Sequence, residues 1–84
     1  MEFIIECAAI HAPEELHRAI AAALSFPDWY GHNLDALYDC LTGLSQPTSL
    51  VFYDWDCVAD FCENFHRVLT DAELDNPQLS VTFE

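Results

Sequence analysis

The chain has 84 residues, with 15 acidic side chains against two arginines (Arg18 and Arg67) and no lysine, for a formal net charge of −13. At 52% hydrophobic and 13% aromatic residues it reads as globular rather than disordered, and its length argues for a single domain over 1–84 with a modest core. The charge excludes direct nucleic-acid binding, which needs clustered Lys and Arg to displace counterions, and disfavours anionic membranes; a strongly basic protein is the natural complement.

Residues 2–7, Glu-Phe-Ile-Ile-Glu-Cys, form a short apolar run that predicts a buried strand. The start lacks the basic residues of a signal peptide and Glu6 cuts the apolar run, so a cytoplasmic protein with reduced cysteines is expected. No run approaches the ~20 apolar residues of a membrane span. Pro13-Glu14-Glu15 is a helix start, and Leu16, Ile20, Ala23 and Leu24 recur at helical spacing, giving a first helix over 13–24. Phe26 before Pro27 lies outside that helix.

Trp29-Tyr30-Gly31-His32 predicts a turn. Asn33 is a good N-cap for a second helix running to about Leu41, and Gly43 stands where a left-handed stop is expected. Helical spacing divides the second helix into two faces. Leu34, Leu37 and Leu41, with Cys40 beside them, go to the core. Asp35, Tyr38, Asp39 and Thr42 fall at i, i+3, i+4 and i+7 and make one stripe on the other side. Trp29 and Tyr30 precede that stripe and extend the patch.

Leu50-Val51-Phe52-Tyr53 predicts a second, central strand. Val58, Phe61, Cys62, Phe65 and Leu69 then recur at helical spacing, so residues 57–73 are one helix or a short turn followed by a helix, stopped by Asn76-Pro77. Leu79, Val81 and Phe83 alternate with Ser80 and Thr82 as a third, edge strand. The fold class is therefore α/β: one small domain, order β-α-α-β-α-β, with three parallel strands and helices packed on them.

Two aspartates and a tyrosine on a solvent-facing stripe are not needed for folding, since Asp35 and Asp39 repel each other mildly at i, i+4. Aromatic anchors among acids make a binding surface for a basic partner; the competing reading is a solvated acidic face with half-buried aromatics. Catalysis is not expected, because two carboxylates on one convex helix make no pocket and no phosphate loop, nucleophile elbow or HExxH motif is present. Cys57, Cys62 and His66, spaced C-x4-C-x3-H, are a weak zinc pattern, and a metal-binding or acidic scaffold module is the alternative reading. His11, His17 and His32 show no partner pattern and read as surface or loop residues, His32 within reach of a ligand. No cofactor or metal is expected.

Residues 24–43, running Leu24-Ser25-Phe26-Pro27-Asp28-Trp29-Tyr30-Gly31-His32-Asn33-Leu34-Asp35-Ala36-Leu37-Tyr38-Asp39-Cys40-Leu41-Thr42-Gly43, closely resemble the signature segment of the barstar family of intracellular ribonuclease inhibitors. The resemblance implies a small α/β domain with a three-stranded parallel sheet, and inhibition of a basic, barnase-like ribonuclease without catalysis. It implies that the second helix and the loop before it plug the nuclease, with Asp39 as the central stand-in for RNA phosphate and Asp35 supporting it. Trp29, Asn33, Tyr38 and Thr42 match further contact positions, Tyr38 standing for a tryptophan. A late acid on the last helix also contributes in the family; Asp71 is the best match here, with Glu73 next. Leu44 replaces an aromatic contact position, and the segment after Trp55 is shorter than the family's.

Overall fold

The computed structural model describes residues 1–84. The order is β1 (Glu2–Glu6), α1 (Pro13–Leu24), α2 (Leu34–Thr42), β2 (Thr48–Tyr53), α3 (Glu63–Asp75) and β3 (Leu79–Phe83), with single 3-10 turns at Cys7–Ala9 and Trp55–Cys57. The sheet order is β1-β2-β3, all parallel, with Ile5 opposite Phe52 and Phe52 opposite Phe83. Parallel neighbours need a crossover between them, and the helices supply it.

Only one face of the sheet is covered. Ile5, Leu50, Phe52 and Leu79 join Leu16, Ile20, Leu37, Leu41, Phe65 and Leu69 in a single core, with Phe3, Val81 and Phe83 packed against it. The opposite face carries Ile4 and Tyr53, both exposed, around the buried Val51. This corrects the expectation of a buried first strand: β1 is an edge, and of its residues only Ile5 is buried. A continuous apolar run signals a parallel sheet here without signalling cover on both faces.

α1 begins with Pro13 and spans the residues its spacing predicts. Glu15 reaches back and accepts from the His11 N–H at 2.6 Å, tying down the chain before the first turn. Ser25 ends the helix in the left-handed conformation (φ 57°), and the Phe26 N–H closes on the Ala21 carbonyl at 3.0 Å. Of the two readings for residues 57–73 the second holds: a short turn at Trp55–Cys57 precedes α3, which starts at Glu63 and runs to Asp75. Phe61, assigned to the apolar face of that helix, lies before it and is exposed.

Gly43 does not take the left-handed stop. Its φ is −86° and its ψ −4°. The end of α2 is closed instead by Asn76, just past α3. The buried Asn76 side chain donates through Nδ2 to the carbonyls of Leu41 (2.9 Å) and Leu44 (3.0 Å) and accepts from the Gln78 N–H at 3.0 Å. The Gly43 N–H closes on the Asp39 carbonyl at 3.1 Å, and with the Leu41 carbonyl met by Asn76 from outside, α2 needs no local reversal of handedness.

Candidate functional site

α2 carries the candidate surface, and both of its ends are fixed. At the N-terminus Asn33 Oδ1 accepts from the Ala36 N–H at 2.8 Å, and Asn33 Nδ2 donates to the Gly31 carbonyl at 3.3 Å. A β-carbon on Gly31 would sit 2.8 Å from Asn33 Nδ2, so glycine there leaves the capping amide its place. Leu37 and Leu41 are fully buried and set the roll of the helix about its axis.

That roll turns Asp35 and Asp39 outward, where both are exposed, with Tyr38 and Thr42 half-buried between them and the core. Thr42 is bonded into its own helix, its hydroxyl donating to the Tyr38 carbonyl at 2.8 Å. α3 lies beside α2. From it Asp75, which sequence reasoning missed, accepts a hydrogen bond from the Tyr38 hydroxyl. Asp71, one turn earlier on α3, is exposed, and its charge and that of Asp39 also bear on the phenol. The Tyr38 phenol is accordingly pushed up, first by the hydrogen bond to Asp75 and then by desolvation and the surrounding charges. Glu73 faces elsewhere: its carboxylate accepts from the Val81 N–H at 2.7 Å and anchors β3. Helical spacing held the signal for Asp75, which stands at i+4 from Asp71 on the same stripe.

The loop of residues 25–33 presents one aromatic and buries the other. Trp29 is 77% exposed, whereas Tyr30 is 6% exposed. Tyr30 therefore does not extend the surface patch. Its ring packs on Phe26, its hydroxyl meets His17 Nδ1 at 2.6 Å, and burial pushes its phenol up. His17 is likewise not the surface residue the sequence suggested. It is buried against Phe65, at 4.5 Å between ring centroids, and burial holds its imidazole below the usual range. His32 does lie in the loop, but its ring is directed to α1, where Nδ1 is 2.5 Å from Glu14 Oε1.

The candidate site thus combines Asp39, Asp71 and Asp75 around Tyr38 with Asp35 one turn earlier on α2, preceded in the chain by the exposed Trp29, and the surface has no pocket. It suits contact with a cationic concave surface better than capture of a small molecule. The zinc pattern does not assemble. Cys57 is exposed, Cys62 is buried before α3, and His66 stacks on Phe83 at 4.3 Å; no three His, Cys, Asp or Glu side chains converge as metal ligands. Cys7 is a buried thiol pushed up to about 11, mainly by desolvation. No helix is long and apolar enough to cross a membrane.

The sequence resembles known proteins in two comparisons. The profile of the family described as "Barstar (barnase inhibitor)" matches residues 1–83. The Bacillus subtilis (strain 168) protein named "Putative ribonuclease inhibitor YrdF" is 50% identical over 65 residues, covering 71% of each chain. With a three-stranded parallel sheet in β-α-α-β-α-β order and the capped acidic second helix in place, the match extends over nearly the whole fold: the chain belongs to the barstar family, whose members are inhibitors and not enzymes.

Proposed function

We propose that the chain inhibits a basic ribonuclease of the barnase kind, acting as a single cytoplasmic domain that protects the cell making the enzyme. α2 and the loop before it lie across the nuclease's active site, and their carboxylates occupy the positions of RNA phosphates. Asp39 is the central mimic, with Asp35 supporting it from one turn earlier. Trp29, Asn33, Tyr38 and Thr42 make further contacts, and Asp71 and Asp75 add charge from α3. Asp71 is preferred to Glu73 as the late acid because Glu73 is already bonded to β3.

The observation that carries this reading is the convergence of Asp39, Asp71 and Asp75 around Tyr38, with Asp35 exposed one turn earlier on the same α2 stripe, in a chain of net charge −13. An RNA-cleaving site is cationic because it must hold phosphates, so an acidic convex face is complementary to it. The fields of the two proteins raise the association rate by roughly 10- to 1,000-fold over that of uncharged surfaces, and the gain falls with salt. The same acidity keeps the chain off RNA itself.

Titrating a barnase-like ribonuclease with the purified chain while following RNA cleavage tests the proposal. Stoichiometric loss of activity, with association slowing steeply as salt rises, is the expected result. Full cleavage at saturating chain, for the barnase-like enzyme and for any ribonuclease encoded beside it, contradicts it.

A further inference from the structure

The loop of residues 25–33 is tied to α1 at two depths. The inner tie is buried, with the Tyr30 hydroxyl 2.6 Å from His17 Nδ1. The outer tie is at the surface, where Glu14 Oε1 is 2.5 Å from His32 Nδ1 and the His32 ring lies nearly parallel to that of His17, at 6.0 Å between centroids and 10° between planes. His32 has φ 51°, in the left-handed region that residues with a β-carbon adopt uncommonly. Its side chain meets Glu14 and the rings of His17 and Tyr30.

The position of His32 in the chain gives this consequence. Trp29, the exposed aromatic, lies three residues before it, and Asn33, the cap of α2, is the next residue. The dihedral angles of His32 therefore relate the direction of Trp29 to the start of the acidic helix. Neither Glu14 nor the His32 side chain belongs to the acidic stripe, so neither is needed there for charge. The groups facing His32 are Glu14 and His17 from α1 and Tyr30 from the loop. Arg18 lies 3.9 Å from the same Glu14 oxygen, and α3 contributes the apolar Phe65 behind His17.

We infer that Glu14 and His32 are positioning residues for the inhibitory surface: their pairing holds the left-handed turn at His32 and so presets Trp29 against α2 before the ribonuclease arrives. A preset loop spares the complex the entropy of ordering it, which lengthens the life of the complex without adding a contact. The inference rests on the proposed function for its partner, and on the geometry of the free protein alone for the tie itself.

The test uses Glu14→Ala and His32→Ala, which break the tie, and His32→Asn, which keeps a nitrogen donor near the Nδ1 position and tolerates left-handed backbone. The indole N–H order parameters of the two tryptophans are measured in the free protein, with the core residue Trp55 reporting general loosening. Dissociation constants are measured against a barnase-like ribonuclease, in the presence and absence of Trp29→Ala. The expected result is a lower order parameter at Trp29 and an unchanged one at Trp55 in both alanine variants, with recovery in His32→Asn. Glu14→Ala should raise the dissociation constant about tenfold, and less than about twofold once Trp29 is alanine, because preorganisation acts through that side chain. Unchanged Trp29 dynamics in both alanine variants overturn the inference, as does an equal loss of affinity with and without Trp29. If the unmodified chain binds no ribonuclease the functional proposal fails, and the Trp29 order parameter still decides the positioning role.

Discussion

The Tyr38 hydroxyl donates a hydrogen bond to the Asp75 carboxylate, joining the acidic stripe of α2 to the end of α3. The contact turns two separate acidic helices into one face. It also keeps the phenol protonated, because a phenolate would meet Asp75, Asp71 and Asp39 together.

Asp75→Asn is predicted to lower the pH at which Tyr38 ionises, since it removes the carboxylate whose hydrogen bond does most to hold the phenol protonated. Folding gains from this phenol while it is protonated, and the gain is lost as pH rises through its raised value in the folded state. Near-ultraviolet absorbance of the phenolate, with Tyr38→Phe to identify the signal, measures it. An unaltered alkaline titration in Asp75→Asn contradicts the coupling.

His17 predicts the opposite dependence at lower pH. Its buried imidazole is held below its ordinary value near 6.5, so between that value and its folded one the unfolded chain takes up a proton that the native protein refuses. Stability from this group is present above about pH 6.5 and declines as pH falls below it. Urea unfolding across that range should show a smaller decline in His17→Gln than in the unmodified protein. Parallel profiles contradict the assignment.

Much of this fold is legible in short-range pattern, because short-range physics decides it. Proline and two glutamates fix the start of α1, the asparagine cap starts α2, and strict alternation marks β3. What is not legible depends on partners far along the chain. Gly43 stays right-handed because Asn76 takes the carbonyls of Leu41 and Leu44 from over 30 positions away. Of the adjacent aromatics Trp29 and Tyr30, the one that turns inward is the one whose hydroxyl finds His17, a contact between two segments. His17 itself was legible in part. It shares a stripe with Ile20 and Leu24 at i+3 and i+7, but a polar residue on an apolar face is discounted until its hydrogen-bond partner is seen. In the site, spacing picks out the Asp35, Tyr38, Asp39 and Thr42 stripe, whereas the approach of α3 that brings in Asp75 is a matter of tertiary packing.

Asn76→Ala is predicted to destabilise the fold by about 1–3 kcal/mol, the cost of leaving buried polar groups unpaired. The Leu44 carbonyl and the Gln78 N–H would lose their partner, and the Leu41 carbonyl would keep only the longer backbone bond from the Leu44 N–H at 3.4 Å. The urea midpoint should fall with an unchanged slope. A midpoint equal to that of the unmodified protein contradicts the view that Asn76 closes α2.

The central claim is that exposed carboxylates on α2 take the place of RNA phosphate, and Asp39→Ala tests it most directly. Asp39 is exposed and its side chain forms none of the hydrogen bonds that hold the fold, so the urea midpoint should correspond to a change within about 0.5 kcal/mol. Affinity for a barnase-like ribonuclease, measured at fixed salt, should fall by at least about 2 kcal/mol, roughly 30-fold in the dissociation constant. A dissociation constant unchanged from that of the unmodified protein, with the fold intact, contradicts the claim.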